Sequence, residues 1–281
     1  MTAGASSRAP AGRVAPDRVT AVVPARNAEA LLPGCLESLR ANGVRRIVVV
    51  DGLSTDRSRE IAAAAGALVL SDEGGGLPLA RSLGVAAADT SVVLLVDSDV
   101  VFPERSLARL LEEYDEGRYA ALQAGLDSES GPGYWGRALA DHHRTGRSRW
   151  WFGLVATVAS RELLLEHGFD DAFRSGEDIE LRWRLQRQGL RAGVSRRVVV
   201  RHRFAGDDFD FARDQFLMDG TGLGLMIRKY GWRGLRLAAL PLAAAVRGTA
   251  LGVARGRPQL VGYYAAYCWF NYVGIRRGLA R

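Results

Sequence analysis

Cysteine is scarce in this chain, and acid is missing from its last fifth. Two cysteines, Cys35 and Cys268, stand far apart among 281 residues. Two thiols cannot build a structural zinc cluster or a dense disulfide framework, so a reducing compartment is the expectation and a single Cys35–Cys268 bridge the less favoured alternative. From Thr221 to Arg281 there is no Asp or Glu, while ten Arg or Lys residues fall there. Setting those ten aside from the net charge of +7 leaves about −3 for the preceding 220 residues. The basic excess is therefore regional, and it suits an anionic membrane surface or anionic acceptor as well as it suits DNA. Long hydrophobic runs are also lacking. Met1 to Arg18 mixes Ala, Gly, Ser, Pro and Arg and reads as a disordered leader rather than a signal peptide. Leu260 to Ile275 is free of formal charge, but Gly262, Asn271 and four tyrosines make it poor hydrocarbon-spanning material. A buried or interfacial helix suits it better, pairing with the short apolar Leu237–Val246 stretch as an interface-seeking hairpin. No long internal repeat is present.

What the chain does have is apolar strand material in regular alternation with helix. The 48% apolar content supports one large core, or one core with a smaller appendage. Val19 to Val23 is β-branched and leads into Pro24-Ala25-Arg26-Asn27, then a helix through Leu31, Leu32, Leu36 and Leu39. Arg46 to Val50 ends in Asp51-Gly52, with Ser54 or Thr55 placed to cap a helix over Arg57–Ala65. A short strand over Ala67–Leu70 precedes Gly74-Gly75-Gly76 and a helix over Leu79–Ala87. Val92 to Val96 then runs straight into Asp97-Ser98-Asp99. Continuous apolar strands alternating with helices predict a Rossmann-like, mostly parallel sheet flanked by helices. Ligands bind such sheets at the carboxyl ends of the strands, where Asp51, Asp97 and Asp99 all fall. Further on, the pattern predicts a helix over Ser106–Tyr114, a strand over Tyr119–Gln123 and a loop or short helix over Gly131–Gly146. It continues with a strand over Leu154–Ala159, helices over Arg161–His167 and Asp178–Gln188, and a strand over Arg196–Val200 with His202 just past its end. The rest, from Phe209, reads mainly as helix.

Several of these residues can carry chemistry. Asp97 and Asp99 repel one another, which favours a divalent cation or a basic partner between them; plain acidic turn residues are the alternative. Glu177-Asp178 opens a helix and either caps it or offers a carboxylate that takes a proton from a hydroxyl. His202 has the imidazole a transition metal accepts, although a surface histidine needs no such role. His142 and His143 stand among Arg137, Arg144, Arg147 and Arg149, an anion site or a solvated loop. Arg147, Arg149, Trp150 and Trp151 offer an acceptor wall or ordinary core packing.

Five ordered segments together resemble the family 2 glycosyltransferases, inverting enzymes of the GT-A fold. They are Val22-Val23-Pro24-Ala25-Arg26-Asn27, Val50 to Asp56, Leu95-Val96-Asp97-Ser98-Asp99, Gly176-Glu177-Asp178 and Val200-Arg201-His202. The resemblance spans Val19 to Phe204. It implies a GT-A catalytic domain over 19–208 between the leader and a basic, mainly helical C-terminal extension over 209–281. It further implies that Pro24, Ala25, Arg26, Asp51 and Arg81 line a donor pocket, with Asp97 near the ribose and Ser98 among the donor-binding residues. Asp99 would coordinate Mn²⁺ or Mg²⁺, with His202 and Asp97 as further ligand candidates, and Asp178 would be the general base with Glu177 beside it. The donor would be a UDP- or GDP-sugar and the acceptor a hydroxyl, a lipid-linked or cell-envelope one being favoured by the basic C-terminal region. The expected location is cytoplasmic, peripheral to the inner face of the membrane. Two departures stand out: Asp51-Gly52-Leu53-Ser54 lacks one acid of the frequent Asp-Asp-Gly-Ser pattern, and Arg81-Ser82-Leu83-Gly84 lacks the asparagine of Arg-Asn-x-Gly.

Two other classes compete. A sugar-phosphate nucleotidyltransferase would more naturally carry a glycine-rich basic phosphate loop after the first strand, where this chain has Pro24-Ala25-Arg26-Asn27. A noncatalytic glycan-binding module would leave the acidic constellation without a purpose. No nucleic acid is expected as a partner, because the basic region is interrupted by apolar stretches and the candidate pocket is acidic.

Overall fold

A computed structural model describes residues 14–145 and 152–280. Of the expected leader only residues 14–18 are among them, and Arg147, Arg149, Trp150 and Trp151 lie outside. Two compact units emerge. The first holds the described residues up to Gly125 with Phe152–Asp171 and Leu181–His202; the second holds the described residues within 126–151 and 203–281 with Ala172–Glu180.

The first unit is built on the apolar runs. β1 (Val19–Ala25), α1 (Leu32–Ala41), β2 (Arg46–Asp51), α2 (Ser58–Ala64), β3 (Leu68–Ser71), α3 (Leu77–Ala87) and β4 (Val92–Val96) alternate along the chain. β1 pairs in parallel with both β2 and β4, and β2 with β3. Every residue of β4 is buried, as are the first five of β1, which is what strands covered on both faces require. α3 lies close against the sheet because Gly84 has no side chain: a Cβ there would collide with Val22.

Past β4 the direction changes. β5 (Val100–Val101), α4 (Ser106–Glu116), β6 (Ala121–Glu129), α5 (Tyr134–Thr145), β7 (Ala156–Ser160), α6 (Arg161–His167), α7 (Glu177–Arg187) and β8 (Ala192–Arg203) follow. The sheet order is β3-β2-β1-β4-β7-β6-β8-β5. β7 is antiparallel to β4 and β6, and β5 is antiparallel to β8. The sheet is thus mixed, parallel through its first four strands. Phe152, Leu154, Leu163, Leu181 and Leu185 pack with Val22, Val93 and Leu95 into one buried cluster.

The second unit is helical. α8 (Phe209–Tyr230) is followed by α9 (Trp232–Leu235), a 3₁₀ turn (Arg236–Ala239), α10 (Leu240–Ala254) and α11 (Leu260–Ala280). α8 and α11 approach so closely that a Cβ on Gly220 or Gly278 would strike the backbone carbonyl of Asn271 or Thr221. Beside them α5 inserts Ala138 and Leu139 into an aromatic cluster with Phe216, Tyr263 and Tyr264. Offset and edge-on ring contacts dominate there, with Phe216–Tyr263 centroids 5.3 Å apart at 83°.

Candidate active site

The turn after β4 is where the acids meet. Val100 N–H donates to the Asp97 carbonyl at 3.1 Å, closing Asp97-Ser98-Asp99 into a tight turn, while Asp97 N–H donates to Val155 O at 2.9 Å. β5 then leaves antiparallel to β8 with Val100 opposite His202. That register sets the His202 Nε2 3.4 Å from Asp99 Oδ2. His202 lies inside β8 rather than past its end: the strand runs on to Arg203 with Val198, Val200 and His202 buried and Arg197 and Arg201 exposed. Burial pulls the His202 pKa down, but the Asp99 carboxylate, reinforced by Asp97, outweighs it and holds the imidazole above its ordinary value.

Asp97 faces a different partner. Arg81, carried by α3 and 2% exposed, donates from Nη2 to Asp97 Oδ1 at 2.9 Å. The two acids of the turn are therefore divided, one toward arginine and one toward histidine. The second oxygen of Asp99, Oδ1, is buried without a hydrogen-bond partner among the described residues. A buried carboxylate oxygen left so is costly unless a ligand meets it. Among the described residues no three His, Cys, Asp or Glu side chains form a ready-made metal cluster. The donor set present, a carboxylate oxygen beside an imidazole, fits Mn²⁺ or Mg²⁺ completed by oxygens from a bound phosphate or water.

Further along the same carboxyl edge lies a cleft of about 230 Å³, lined by Pro24, Ala25, Arg26, Gly52, Asp72 and Gly76 among others. Asp51, 1% exposed, ends β2 beside it. Its Oδ2 accepts from Ser54 N–H at 3.2 Å and lies 3.6 Å from Arg59 Nη1, whereas Oδ1 is another buried oxygen without a partner among the described residues. Ser54 and Thr55 do not cap α2. Ser54 Oγ accepts from Asn27 N–H at 2.9 Å and Thr55 N–H donates to Asn27 Oδ1 at 2.9 Å, so they clasp the loop after β1. The N–H of Ser58, the first residue of α2, donates instead to Asp56 Oδ1.

Asp72 and Arg59 escaped the sequence reading. Asp72 is 3% exposed and accepts from Gly74 N–H at 2.9 Å and Gly76 N–H at 3.0 Å, shaping the glycine loop at the cleft wall. Gly74 and Gly76 have φ of +78° and +91°, a region that other residues enter only with strain. The Asp72-x-Gly74-x-Gly76 spacing was the available signal. Arg59 announced itself in no way; it is one exposed helical arginine among many.

Glu177 and Asp178 belong to the second unit, in the first turn of α7. Gly176, φ +82°, lies against Gly222 of α8, and Ser175 Oγ donates to Met218 O at 2.8 Å. These contacts fix the turn that presents the two acids. Glu177 is buried and Asp178 half-buried, with Asp178 Oδ1 accepting from Ile179 N–H at 2.7 Å. Two residues on, buried Glu180 takes Lys229 Nζ at 2.6 Å and the Tyr230 hydroxyl at 2.8 Å.

Residues 20–172, more than half of the chain, match the family described as glycosyl transferase family 2. The chain belongs to that family. An uncharacterized glycosyltransferase of Mycobacterium tuberculosis is 34% identical over 186 residues, covering 63% of this chain and 83% of that protein. The pre-mycofactocin glycosyltransferase of the same species is 28% identical over 235 residues, covering 75% of this chain and 48% of its own length. Among solved structures, a mannosyltransferase of Pyrobaculum calidifontis in complex with GDP-mannose and Mn²⁺ superposes with a TM-score of 0.64 at 18% identity, over 93% of this chain and 88% of that one. Glucosyl-3-phosphoglycerate synthase of M. tuberculosis, in complex with Mn²⁺, UDP and glucosyl-3-phosphoglycerate, gives 0.53 at 23% identity, over 74% and 78%. The fold is the GT-A fold of these glycosyltransferases. The family match ends before Glu177, Asp178 and His202, so it bears on the cleft and the acidic turn alone.

Proposed function

We propose that this family 2 glycosyltransferase moves a sugar, with inversion, from a nucleoside-diphosphate donor to a hydroxyl acceptor. The observation that carries the reading is the buried, unpartnered oxygen of Asp99 beside His202, at the carboxyl edge of a GT-A sheet that also holds a cleft for a nucleoside. A UDP- or GDP-sugar is the donor class, in keeping with the nucleotides named for the two structural neighbours. Pro24, Ala25, Arg26 and Asp51 take the nucleoside, Asp97 and Ser98 flank the ribose, and Arg81 fixes Asp97. Asp99 holds Mn²⁺ or Mg²⁺ with His202 as a further ligand, and the bound cation supplies Lewis-acid stabilisation to the leaving diphosphate. The acceptor oxygen attacks the anomeric carbon from the face opposite the diphosphate. As that bond forms, the bond from carbon to the phosphate oxygen breaks, and the hydroxyl proton passes to the Asp178 carboxylate. Glu177 adjoins this base in the same helical turn.

The acceptor is lipid-linked in this reading, supported by the basic, acid-free C-terminal region. Cys35 and Cys268 are not joined in a disulfide, in keeping with reaction on the cytoplasmic side of the membrane. A panel of nucleotide sugars with Mn²⁺ or Mg²⁺, read by thermal unfolding, tests the donor assignment, since a ligand of the folded state raises its apparent stability. The expected result is a metal-dependent rise with a UDP- or GDP-sugar. Stabilisation by a nucleoside triphosphate with a sugar phosphate, accompanied by pyrophosphate release, would overturn the reading.

A further inference from the structure

The second unit carries an apolar, basic surface that holds none of the residues proposed to bind donor or take the proton. α10 packs inward through Pro241, Ala245, Gly248 and Gly252, with Gly248 directly against the Tyr264 ring. At 100° per residue, Leu242, Ala243, Val246, Ala250 and Val253 share one arc on the opposite side. All five are exposed, Leu242, Val246 and Val253 by 54%, 62% and 54%. A helix facing water ordinarily shows polar side chains outward and large aliphatics inward. Over this arc α10 does the reverse, with small residues inside and large aliphatics out, and its exposed Arg247 stands just beyond the arc's edge.

Charge of one sign surrounds this face. Exposed Arg233 and Arg236 precede α10 and exposed Arg255 follows it. The guanidinium of Arg257, further on, pairs with Asp141. Trp232, 81% exposed, opens the segment with the Arg233 guanidinium 5.6 Å from its ring centroid. Tryptophan favours the boundary between water and lipid, and arginine can lay its stem on apolar surface while keeping its charge among headgroups.

From these features we infer that the Trp232–Ala254 segment docks on an anionic lipid bilayer, its Leu242, Val246 and Val253 among the acyl chains and Trp232, Arg233, Arg236 and Arg255 at headgroup level. The segment is 23 residues long and its most apolar 18-residue window has a mean hydropathy of 1.6, but the 3₁₀ turn with Arg236 interrupts it. α10 alone extends about 22 Å at 1.5 Å per residue, short of the roughly 30 Å hydrocarbon core, so it lies along the interface rather than crossing. A second copy of the chain is a poor occupant, because face-to-face pairing would oppose two basic arrays with no acid after Thr221 to neutralise them.

Co-sedimentation of the full chain with vesicles, without donor or metal, tests this directly and independently of transfer. Vesicles containing phosphatidylglycerol should bind the chain, with binding weakened by salt, and vesicles of phosphatidylcholine alone should bind it far less. The Leu242→Glu/Val246→Glu variant should lose about tenfold or more in vesicle affinity at an unchanged Tm, since both side chains already face outward. Trp232→Ala, a milder probe, should lose about threefold. Equal binding to both vesicle types would overturn the inference, as would full binding by the double-Glu variant. So would a vesicle-free dimer that this variant disperses, which would make the face a self-interface. None of these outcomes touches the donor assignment.

Discussion

The two units handle unsatisfied surface in opposite ways. The sheet unit exposes few large aliphatics, Leu53, Leu68 and Leu165 among the described residues, and has two buried carboxylate oxygens without a hydrogen-bond partner among the described residues at its carboxyl edge, Oδ1 of Asp51 and Oδ1 of Asp99. The helical unit has a tight, glycine-lined and aromatic interior but leaves apolar surface wanting outside, on α10 and at Trp232 and Trp269. A buried acceptor without a donor calls for a cation or a polar ligand, whereas an exposed aliphatic face calls for a non-aqueous one. The contrast agrees with the proposals made for each unit, metal and donor binding in the first and attachment to a bilayer in the second.

The sharpest way to break this division is Asp178→Asn, which keeps the shape of the side chain and removes the carboxylate proposed as the base. Transfer should fall about a thousandfold while donor binding is retained, the range expected for one general base. Turnover and donor affinity measured on the same preparation check it, and unchanged turnover would remove Asp178 from the reaction. Next in size is Lys229→Met. It withdraws the cation from Glu180, which is fully buried, and should cost about 3 kcal/mol in the unfolding free energy because a buried carboxylate loses its ion pair. Denaturant unfolding measures this; a loss below half a kcal/mol would mean the pair is not held in solution.

His142 gives a comparable effect with a pH signature. It is buried beside Tyr264, its Nδ1 3.3 Å from the hydroxyl, and burial, helped by Arg247, pushes its pKa down to about 4. The folded protein thus keeps this imidazole neutral where the unfolded chain, near 6.5, protonates it. Stability is present in full above about pH 6.5 and is lost as pH falls toward 4, by on the order of 3 kcal/mol. Unfolding midpoints from pH 7 to 4.5 should show the loss, and His142→Phe should flatten it; an equally steep loss in that variant would place the acid sensitivity elsewhere. The smallest expected effect belongs to the cleft wall. Asp72→Asn keeps one acceptor for the glycine loop and should raise the donor KM about tenfold with little change in kcat, as lost positioning rather than lost chemistry.

Sequence made much of the first unit legible. The apolar runs before Asp51 and Asp97 are strands because nothing polar interrupts them, and Arg161–His167 is helix over the range that Ser160, its cap, sets. The second half was harder for identifiable reasons. The exposed Arg201 after Val198-Val199-Val200 reads as the end of β8, yet the strand continues to Arg203 and carries His202 within it. α5 buries Ala138, Leu139 and His142, a helical spacing masked by the surrounding charge. The antiparallel turn of the sheet at β7 depends on long-range pairing that no local pattern encodes. Arg81 and Asp97 were singled out separately; their ion pair required the fold.

Calorimetric titration of a UDP- or GDP-sugar into the native chain and into Asp99→Ala, each with and without Mn²⁺, tests the central claim most directly. The account predicts donor binding that depends on metal in the native chain and is weakened about tenfold or more when the Asp99 carboxylate is gone. Equal, metal-dependent binding by both proteins would contradict it.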